Sequence, residues 1–200
     1  MLTSIPVESL SITKIKEIAR LFARGNIGVF PTDTVYGVGC ALSREDAIER
    51  LYQIKKRPEH QPTALLIDSF AQVKEFFRDV PEEAKRLMKT YWPGALTIVF
   101  PCRKEGISSR LQGKGGTIGV RMPDYDILRT IIRTLGEPLV ATSANFKGEE
   151  TPVLYSDIKK EFLDLVDFCL EGVVEGSKAS TVVEIVDGAV HVLRQGDVKV

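Results

Sequence analysis

The sequence has few of the residues from which metal, redox and disulfide-stabilised sites are built. Its 200 residues include three cysteines and two histidines, and no C-x-x-C pair occurs. A structural zinc site needs four clustered ligands, so this inventory excludes one. The cysteines, Cys40, Cys102 and Cys169, are odd in number and far apart, which indicates reduced, buried thiols in a cytoplasmic protein.

The sequence also has no excess of positive or negative charge and no long apolar run. Lys plus Arg number 27, and Asp plus Glu number 27, so the formal net charge is zero. This balance argues against a general nucleic-acid coat protein, although a local basic patch is compatible with it. No apolar run approaches the roughly 18 residues of a membrane span, and residues 1–10 do not have the pattern of a signal peptide. We expect no membrane association.

Two nucleotide-binding signatures are also missing. Neither G-x-G-x-x-G nor G-x-x-x-x-G-K-[ST] is found, which excludes a Rossmann fingerprint and a P-loop. We therefore expect no nicotinamide and no flavin.

Helix and strand signals alternate along the whole chain, without a linker or low-complexity tract. The periodicity predicts helices over 12–22, from Ser43 to near Arg57, and over 73–77, 81–91, 123–135 and 158–165. Ser43 and Asp46 form a capping-box pattern at the second helix, and Gly136 is expected to cap the end of the helix over 123–135. Strands are predicted over 27–30, 64–67, 95–100, 117–120, 139–142, 181–186 and 189–193. The last two flank Asp187-Gly188, a strong hairpin signal.

This mixture defines the fold class. Strand–helix units favour parallel pairing and the final hairpin is antiparallel, so we predict an α/β fold: a twisted mixed β-sheet flanked by helices, with a C-terminal β-hairpin. Residues 1–200 are expected to form one domain.

Four segments are polar in ways that packing does not require: PTDTVYG at 31–37, KKRP at 55–58, GVRMP at 119–123 and TSAN at 142–145. Three of them directly follow predicted strands, where ligands bind in open α/β sheets. Each also has a purely structural interpretation. The hydroxyl and amide residues suit turns, the cations suit the end of a helix, and Arg121 suits a solvent-exposed surface.

Taken together, these segments resemble the YrdC family, the threonylcarbamoyl-AMP synthases of tRNA modification. The resemblance also includes WPG at 92–94, STVV at 180–183, and Arg194 with Gly196, so it covers nearly the whole chain in order. It implies a YrdC-like fold in its single-domain form. The implied enzyme is a nucleotidyltransferase that joins L-threonine, bicarbonate and ATP into threonylcarbamoyl-AMP and releases pyrophosphate. A tRNA threonylcarbamoyltransferase complex then acts on tRNA downstream.

The resemblance also implies roles for individual residues. Lys55, Arg57 and Arg121 are the implied catalytic cations. The implied ATP-binding residues are Lys55, Arg57, Gln61, Thr117, Ser143, Asn145 and Arg194. The implied threonine-binding residues are Thr32, Thr34, Arg121, Thr142, Ser180 and Thr181. Mg²⁺ is implied with ATP, without any protein ligand for it. Because every reactant is anionic, charge repulsion is the main barrier to the reaction, and fixed cations lower it. We therefore expect Arg57→Ala and Arg121→Ala to remove most activity and leave the fold intact.

The sequence departs from the family pattern at two places. Gln61-Pro62-Thr63 stands where a small amide, Pro and Leu are common, and Glu149 and Glu150 follow Gly148 where a basic residue is common. We assign no contact to the loop over 146–155. The alternatives are a carbamoyl-AMP-forming carbamoyltransferase, disfavoured because its zinc-finger segments are missing, and a YciO-type protein, disfavoured by the intact Ser-Ala-Asn. A third is a module that binds double-stranded RNA or tRNA.

Overall fold

The architecture is described from a computed structural model, which describes residues 3–56, 63–77, 79–101 and 107–200. Ten strands in these ranges form one sheet in the order β1-β8-β2-β3-β7-β4-β6-β5-β9-β10. Their bounds are β1 Thr3–Pro6, β2 Gly28–Phe30, β3 Gly37–Ala41, β4 Ala64–Leu66, β5 Leu96–Pro101, β6 Thr117–Arg121, β7 Leu139–Ser143, β8 Phe168–Glu171, β9 Thr181–Val186 and β10 Ala189–Arg194.

The sheet is mixed, as predicted. Strands β1 and β2 both pair parallel with β8, and the pairs β4–β6 and β5–β9 are parallel. The pairs β2–β3, β3–β7, β4–β7, β5–β6 and β9–β10 are antiparallel. In the last pair, Asp187 and Gly188 have φ values of 50° and 78°, which the two central residues of a type I′ turn require. The predicted C-terminal hairpin is confirmed.

Six α-helices in the described ranges pack on this sheet. They are α1 Ile12–Ala23, α2 Glu45–Ile54, α3 Phe70–Phe76, α4 Glu82–Tyr91, α5 Asp126–Leu135 and α6 Lys160–Leu163. Helix α5 ends at Gly136 in the left-handed conformation, as its sequence predicts.

The two faces of the sheet are covered unequally. Alternate strand residues point to opposite faces, and Leu65 and Leu66 accordingly belong to two different hydrophobic clusters. The cluster that contains Leu65 includes buried residues of α2, α3, α4 and α6, whereas the cluster that contains Leu66 includes those of α1 and α5. On the second face, the adjacent strands β3, β7, β4, β6, β5 and β9 face an open cavity.

Several element predictions are wrong. The segments of β1, β3 and β8 were not predicted as strands. Helix α2 begins after Arg44 without a side-chain cap, because the Ser43 hydroxyl donates to Glu137 Oε1 at 2.7 Å and does not cap the helix. Helix α2 also ends at Ile54, before Arg57, and α6 is four residues long.

Candidate active site

A cavity of about 490 Å³ lies on the face of the sheet that α1 and α5 leave open. Its floor contains Gly37, Ala64, Gly119 and Ala141 from the four adjacent strands β3, β4, β6 and β7. Ala64 pairs with Gly119 on one side and with Ala141 on the other. Because none of these side chains is larger than a methyl group, the sheet leaves room above it. The volume is typical of a small-molecule site.

Polar and apolar residues both line the walls of the cavity. Its polar lining consists of Thr32, Thr34, Thr63, Thr97, Arg121, Thr142, Ser143, Ser180 and Arg194. Val99, Val182 and Leu193 form the apolar flank. A ligand with one charged and one flat or apolar part would match this division.

Arg121 is the most constrained of these groups. Its guanidinium donates from Nε to Gly94 O at 3.0 Å, from Nη1 to Thr34 Oγ1 at 2.8 Å and from Nη2 to Asp33 Oδ1 at 2.6 Å. Burial lowers the pKa of Arg121, and the neighbouring Asp33 carboxylate opposes that shift. A guanidinium has five N–H donors, so two remain for a ligand once these three contacts are made. Two donors on one guanidinium suit a carboxylate.

The turn between β2 and β3 supplies two of the Arg121 contacts. Within it, Thr32 Oγ1 accepts hydrogen bonds from the backbone N–H groups of Thr34 and Val35, each at 3.1 Å, and donates to Val35 O at 2.7 Å. Thr32 therefore lines the cavity, and its hydroxyl stabilises the turn that presents Thr34.

A second cluster surrounds Ser180, which directly precedes β9 and contacts Thr97 on the neighbouring strand β5. Ser180 Oγ lies 2.8 Å from Thr97 Oγ1. Arg194 donates to Ser180 O from Nε at 3.0 Å and from Nη2 at 2.8 Å. Arg194 thus fixes the backbone of Ser180 at the cavity wall.

Lys55 lies behind the turn that follows β7. Its Nζ donates to Ser143 O at 2.7 Å and to Asn145 Oδ1 at 3.0 Å, and it also contacts the backbone oxygen of Asn145. The Ser143 hydroxyl donates to the same Asn145 Oδ1 at 2.6 Å. Lys55 is 5% exposed and does not line the cavity. In this arrangement its charge stabilises the Ser-Ala-Asn turn.

The structure brings together seven of the residues that the resemblance implies, namely Thr32, Thr34, Arg121, Thr142, Ser143, Ser180 and Arg194. Lys55, Thr117, Asn145 and Thr181 do not line the cavity. Thr181 donates to Val198 O at 2.7 Å, because alternation along β9 turns it away from the face of Val182. Arg57 and Gln61 lie outside the described residues.

Sequence reasoning assigned no site role to Asp33, Thr63 or Thr97. Asp33 stands inside a motif that we identified, but its pairing with a residue 88 positions away has no local signal. Thr63 was noted only as a departure from the family pattern. Thr97 lies on the strand face that carries Val99, and only the position of β5 beside β6 brings it to the site.

Glu149, the first acidic residue of the loop at 146–155, does not face the cavity. Glu149 accepts from Lys159 Nζ at 2.5 Å, and this hydrogen bond holds the pKa of Glu149 below its ordinary value. Within the described ranges, no group of three or more His, Cys, Asp or Glu side chains is placed to hold a metal ion. The described lining also contains no carboxylate, so the donors that Mg²⁺ usually takes from a protein are not found there.

Two of the cysteines, Cys40 and Cys169, lie in strands β3 and β8. Cys40 and Cys169 are fully buried, and burial raises the pKa of both thiols, that of Cys169 to about 12. Such thiols are protonated and inert at neutral pH. Cys102 lies outside the described residues.

None of the helices in the described part of the chain has the length and apolar character needed to cross a bilayer.

Comparison with known proteins shows close relatives. The Sua5/YciO/YrdC family, described as "Telomere recombination", matches residues 20–196. Threonylcarbamoyl-AMP synthase of Bacillus subtilis is 33% identical over 190 residues, which are 92% of this chain and 54% of that protein. The chain thus spans about half the length of the first curated relatives that it matches, which include a threonylcarbamoyl-AMP synthase of Pyrococcus abyssi at 56%.

Solved structures agree with these matches. A structure of P. abyssi Sua5 complexed with L-threonine superposes with a TM-score of 0.86 at 31% identity, covering 97% of this chain and 57% of that one. The structure of Escherichia coli YciO superposes with a TM-score of 0.87 at 28% identity, covering 98% and 96%. The YrdC-like fold and the resemblance are both confirmed, and this chain belongs to the Sua5/YciO/YrdC family.

Proposed function

We propose that the protein is an L-threonylcarbamoyladenylate synthase, which makes threonylcarbamoyl-AMP and pyrophosphate from L-threonine, bicarbonate and ATP. The observation that carries this proposal is the buried Arg121 guanidinium, held by Asp33, Thr34 and Gly94 O at one end of the cavity. Its remaining donors fit the carboxylate of an amino acid. The relatives named as this synthase and the Sua5 structure with L-threonine support the same ligand.

The proposed reaction has two steps. The threonine amine forms an N–C bond with bicarbonate, which loses water and becomes a carbamate. A carbamate oxygen then forms a bond to the α-phosphorus of ATP while the bond from that phosphorus to the bridging oxygen breaks, releasing pyrophosphate. Neither step needs a covalent enzyme nucleophile, and holding aligned reactants can supply about 7–11 kcal/mol.

Individual residues have distinct parts in this proposal. Arg121 and Thr34 bind and orient threonine, with Thr97 and Ser180 beside them on the neighbouring strands. The apolar flank of Val182 and Leu193 receives the nucleobase. Lys55 supports Ser143 and Asn145 from behind, and a direct contact from Lys55 or Arg57 to phosphate remains a prediction. The same holds for the implied contacts of Gln61, Thr117, Thr142, Thr181 and Arg194.

We also propose the metal ion, the domain organisation and the partners of the enzyme. Mg²⁺ enters as the ion that accompanies ATP, and we assign no step to it. The single ten-stranded sheet supports the expectation that residues 1–200 act as one domain. The nucleotidyltransferase class, transfer to tRNA by a downstream partner complex and a cytoplasmic location remain predictions.

The test is pyrophosphate release by the purified chain. We expect release to require ATP, L-threonine and bicarbonate together, and the adenylate product to retain the label of ¹⁴C-bicarbonate. Omission of any one reactant is the matched control. Release with ATP alone, or no release with all three, would contradict the proposal.

A second candidate is a module that binds double-stranded RNA or tRNA without synthase activity. The resemblance implies this alternative for chains of the YrdC/YciO type, and the chain and YciO cover each other almost completely, at 98% and 96%. Salt-sensitive binding of tRNA together with absent pyrophosphate release would support it over the synthase.

A further inference from the structure

Thr97 and Ser180 form a pair of buried hydroxyl groups on the cavity wall that has one proton more than the protein uses. Both residues line the cavity, at 5% and 6% exposure, and Thr97 Oγ1 lies 2.8 Å from Ser180 Oγ. Alternation along β5 puts Leu96 and Ile98 in the hydrophobic cluster on the other face of the sheet, so Thr97 faces the cavity. Each hydroxyl has one proton, and the hydrogen bond between the two uses one of them. Within the described part of the chain, the other proton has no acceptor.

Arg194 determines which of the two protons is left over. Its Nη2 donates to Ser180 Oγ at 3.2 Å, and a guanidinium can only donate. A hydroxyl that accepts from a cation becomes a stronger donor, because successive hydrogen bonds polarise one another. The favoured order is a chain in which Arg194 donates to Ser180, Ser180 donates to Thr97, and the Thr97 proton is directed into the cavity. A ligand that displaces water from this wall must supply an acceptor for that proton, or leave it unpaired at a cost of roughly 1–3 kcal/mol.

The position of Thr97 indicates which part of a ligand it meets. Strand β5 is antiparallel to β6 with Ile98 opposite Val120, so Thr97 lies one residue further along, beside Arg121. Neighbouring side chains on one face of such a pair have Cβ atoms roughly 5 Å apart. The Arg121 guanidinium also donates to Gly94 O, just before β5 begins. Thr97 therefore faces the end of the ligand that carries the carboxylate bound by Arg121.

The charge around Thr97 favours an anionic oxygen as the acceptor. The chain of hydrogen bonds behind it begins at the Arg194 cation, and the described lining of the cavity contains no carboxylate. In the proposed reaction the threonine side chain ends in a neutral hydroxyl and a methyl group, whereas the amine acquires a negatively charged carboxyl group from bicarbonate. Charge-assisted hydrogen bonds are about twice as strong as neutral ones, so the carbamate is the better match for this donor.

We propose that the Thr97 hydroxyl donates a hydrogen bond to an oxygen of bicarbonate and of the carbamate formed from it, and that this part of the cavity is the bicarbonate subsite. The inference rests on the proposed function for the identity of the substrates. In this arrangement Ser180 and Arg194 orient the Thr97 proton. The resemblance to the family assigned no role to Thr97.

The central variant is Thr97→Val, which keeps the side-chain shape and removes the hydroxyl. We expect the KM for bicarbonate to rise roughly tenfold or more, because a hydrogen bond to a charged group is lost, while the KM for ATP stays within about twofold. Ser180→Ala keeps the Thr97 hydroxyl and removes the chain behind it, so we expect a smaller rise. An unchanged bicarbonate KM in Thr97→Val, or a larger rise in Ser180→Ala than in Thr97→Val, would overturn the proposal.

Two further variants control for the loss of a threonine hydroxyl. Thr130 lies on α5, where its hydroxyl donates to Asp126 O at 2.8 Å, and it does not line the cavity. We expect Thr130→Val to leave every KM unchanged. Thr97→Ser keeps the hydroxyl and is expected to keep the bicarbonate KM. If Thr97→Val does not fold, Thr97→Ala is compared with Thr97→Ser, and equal bicarbonate KM values in these two would overturn the proposal.

Equilibrium binding separates this inference from the proposed function. N-carbamoyl-L-threonine is a stable probe with an amide oxygen where the carbamate has a carboxylate oxygen, and its calorimetric titration needs no turnover. We expect Thr97→Val to weaken this probe roughly fivefold or more and to leave L-threonine affinity within about twofold. Equal weakening of both ligands, unchanged affinity for the probe, or no binding of the probe by the wild type would each overturn the contact. If the wild type releases no pyrophosphate but shows this difference between the two ligands, the proposed function fails and the contact stands.

Discussion

At the scale of single residues, the site is built from groups that already bond to one another. Arg121 is held by Asp33 and Thr34 from one turn and by the Gly94 carbonyl that follows the cis Trp92–Pro93 bond. The resemblance implied that Arg121 is the cation that binds the threonine carboxylate. It did not indicate Asp33, because a buried ion pair between positions 33 and 121 is a property of the folded sheet.

Replacement of Arg121 tests this constrained guanidinium. Arg121→Ala leaves the Asp33 carboxylate, 13% exposed, without its partner. We therefore expect a stability loss of roughly 3–5 kcal/mol, in contrast to the unchanged fold expected from sequence. Arg121→Lys keeps the charge and loses the bidentate donors. It is expected to raise the KM for L-threonine roughly tenfold or more with the KM for ATP unchanged, as measured by pyrophosphate release.

Arg133→Lys is the control for this substitution. Arg133 pairs with Asp68 at 2.9 Å and does not line the cavity. It should leave both KM values unchanged. A normal threonine KM in Arg121→Lys would show that the arginine does not bind the carboxylate.

At the scale of elements, small residues determine both the opening of the cavity and the fit of its walls. Gly119 on β6 lies in the floor, and a Cβ there would meet Thr97 Cγ2 at 3.5 Å, an ordinary contact. Gly176 lies in the segment between β8 and β9, and a Cβ there would come within 2.6 Å of Asp33 O and 2.7 Å of Thr34 Cα. The first glycine leaves room for ligand, and the second lets this segment pack against the turn that holds Arg121.

Alanine substitutions at the two glycines should separate these roles. Gly119→Ala is expected to keep the stability within about 1 kcal/mol and to weaken substrate binding, because its methyl group enters the cavity. Gly176→Ala is expected to destabilise by roughly 1–3 kcal/mol through overpacking against backbone. Thermal unfolding and threonine titration check both. A Gly119→Ala protein with unchanged affinity would show that substrate does not contact the floor.

The element predictions failed where tertiary contacts override local pattern. Strand β3 has the sequence GVGCA and is buried on both faces, so neither β-propensity nor alternation marks it. Ser43 has the sequence of a helix cap, but it bonds to Glu137, 94 residues away. By contrast, the helix end at Gly136 and the turn at Asp187-Gly188 depend on backbone conformations that local residues determine, and both were predicted.

At the scale of the whole molecule, long-range hydrogen bonds join segments that are far apart in the sequence around the site. Tyr36 is fully buried; its hydroxyl donates to Gly172 O at 2.5 Å and accepts from Gly172 N at 3.0 Å. Burial raises the pKa of Tyr36 from its ordinary value of 10.0 to about 12. The turn before β3 is thus connected to the segment after β8 by a phenol that stays protonated.

This pKa predicts an alkaline loss of stability. Between about pH 10 and pH 12 the phenol ionises in the unfolded chain and stays protonated in the folded one, so the free energy of unfolding falls as the pH rises. At pH 11 the loss from Tyr36 is roughly 1 kcal/mol. We expect Tyr36→Phe to be less stable than the wild type at pH 8, with the difference narrowing by about that amount at pH 11 in urea unfolding. A difference that does not change with pH would contradict the assignment.

The connection between Tyr36 and Gly172 spans 136 positions, and it has a consequence for biosynthesis. The turn near residue 33 is synthesised well before Gly172, Ser180 and Arg194. Pairings so distant along the chain form slowly, since a long loop must close before any contact rewards it. A nascent chain therefore has no complete pocket until the segment that carries Gly172, Ser180 and Arg194 has also been made and has paired with the turn near residue 33.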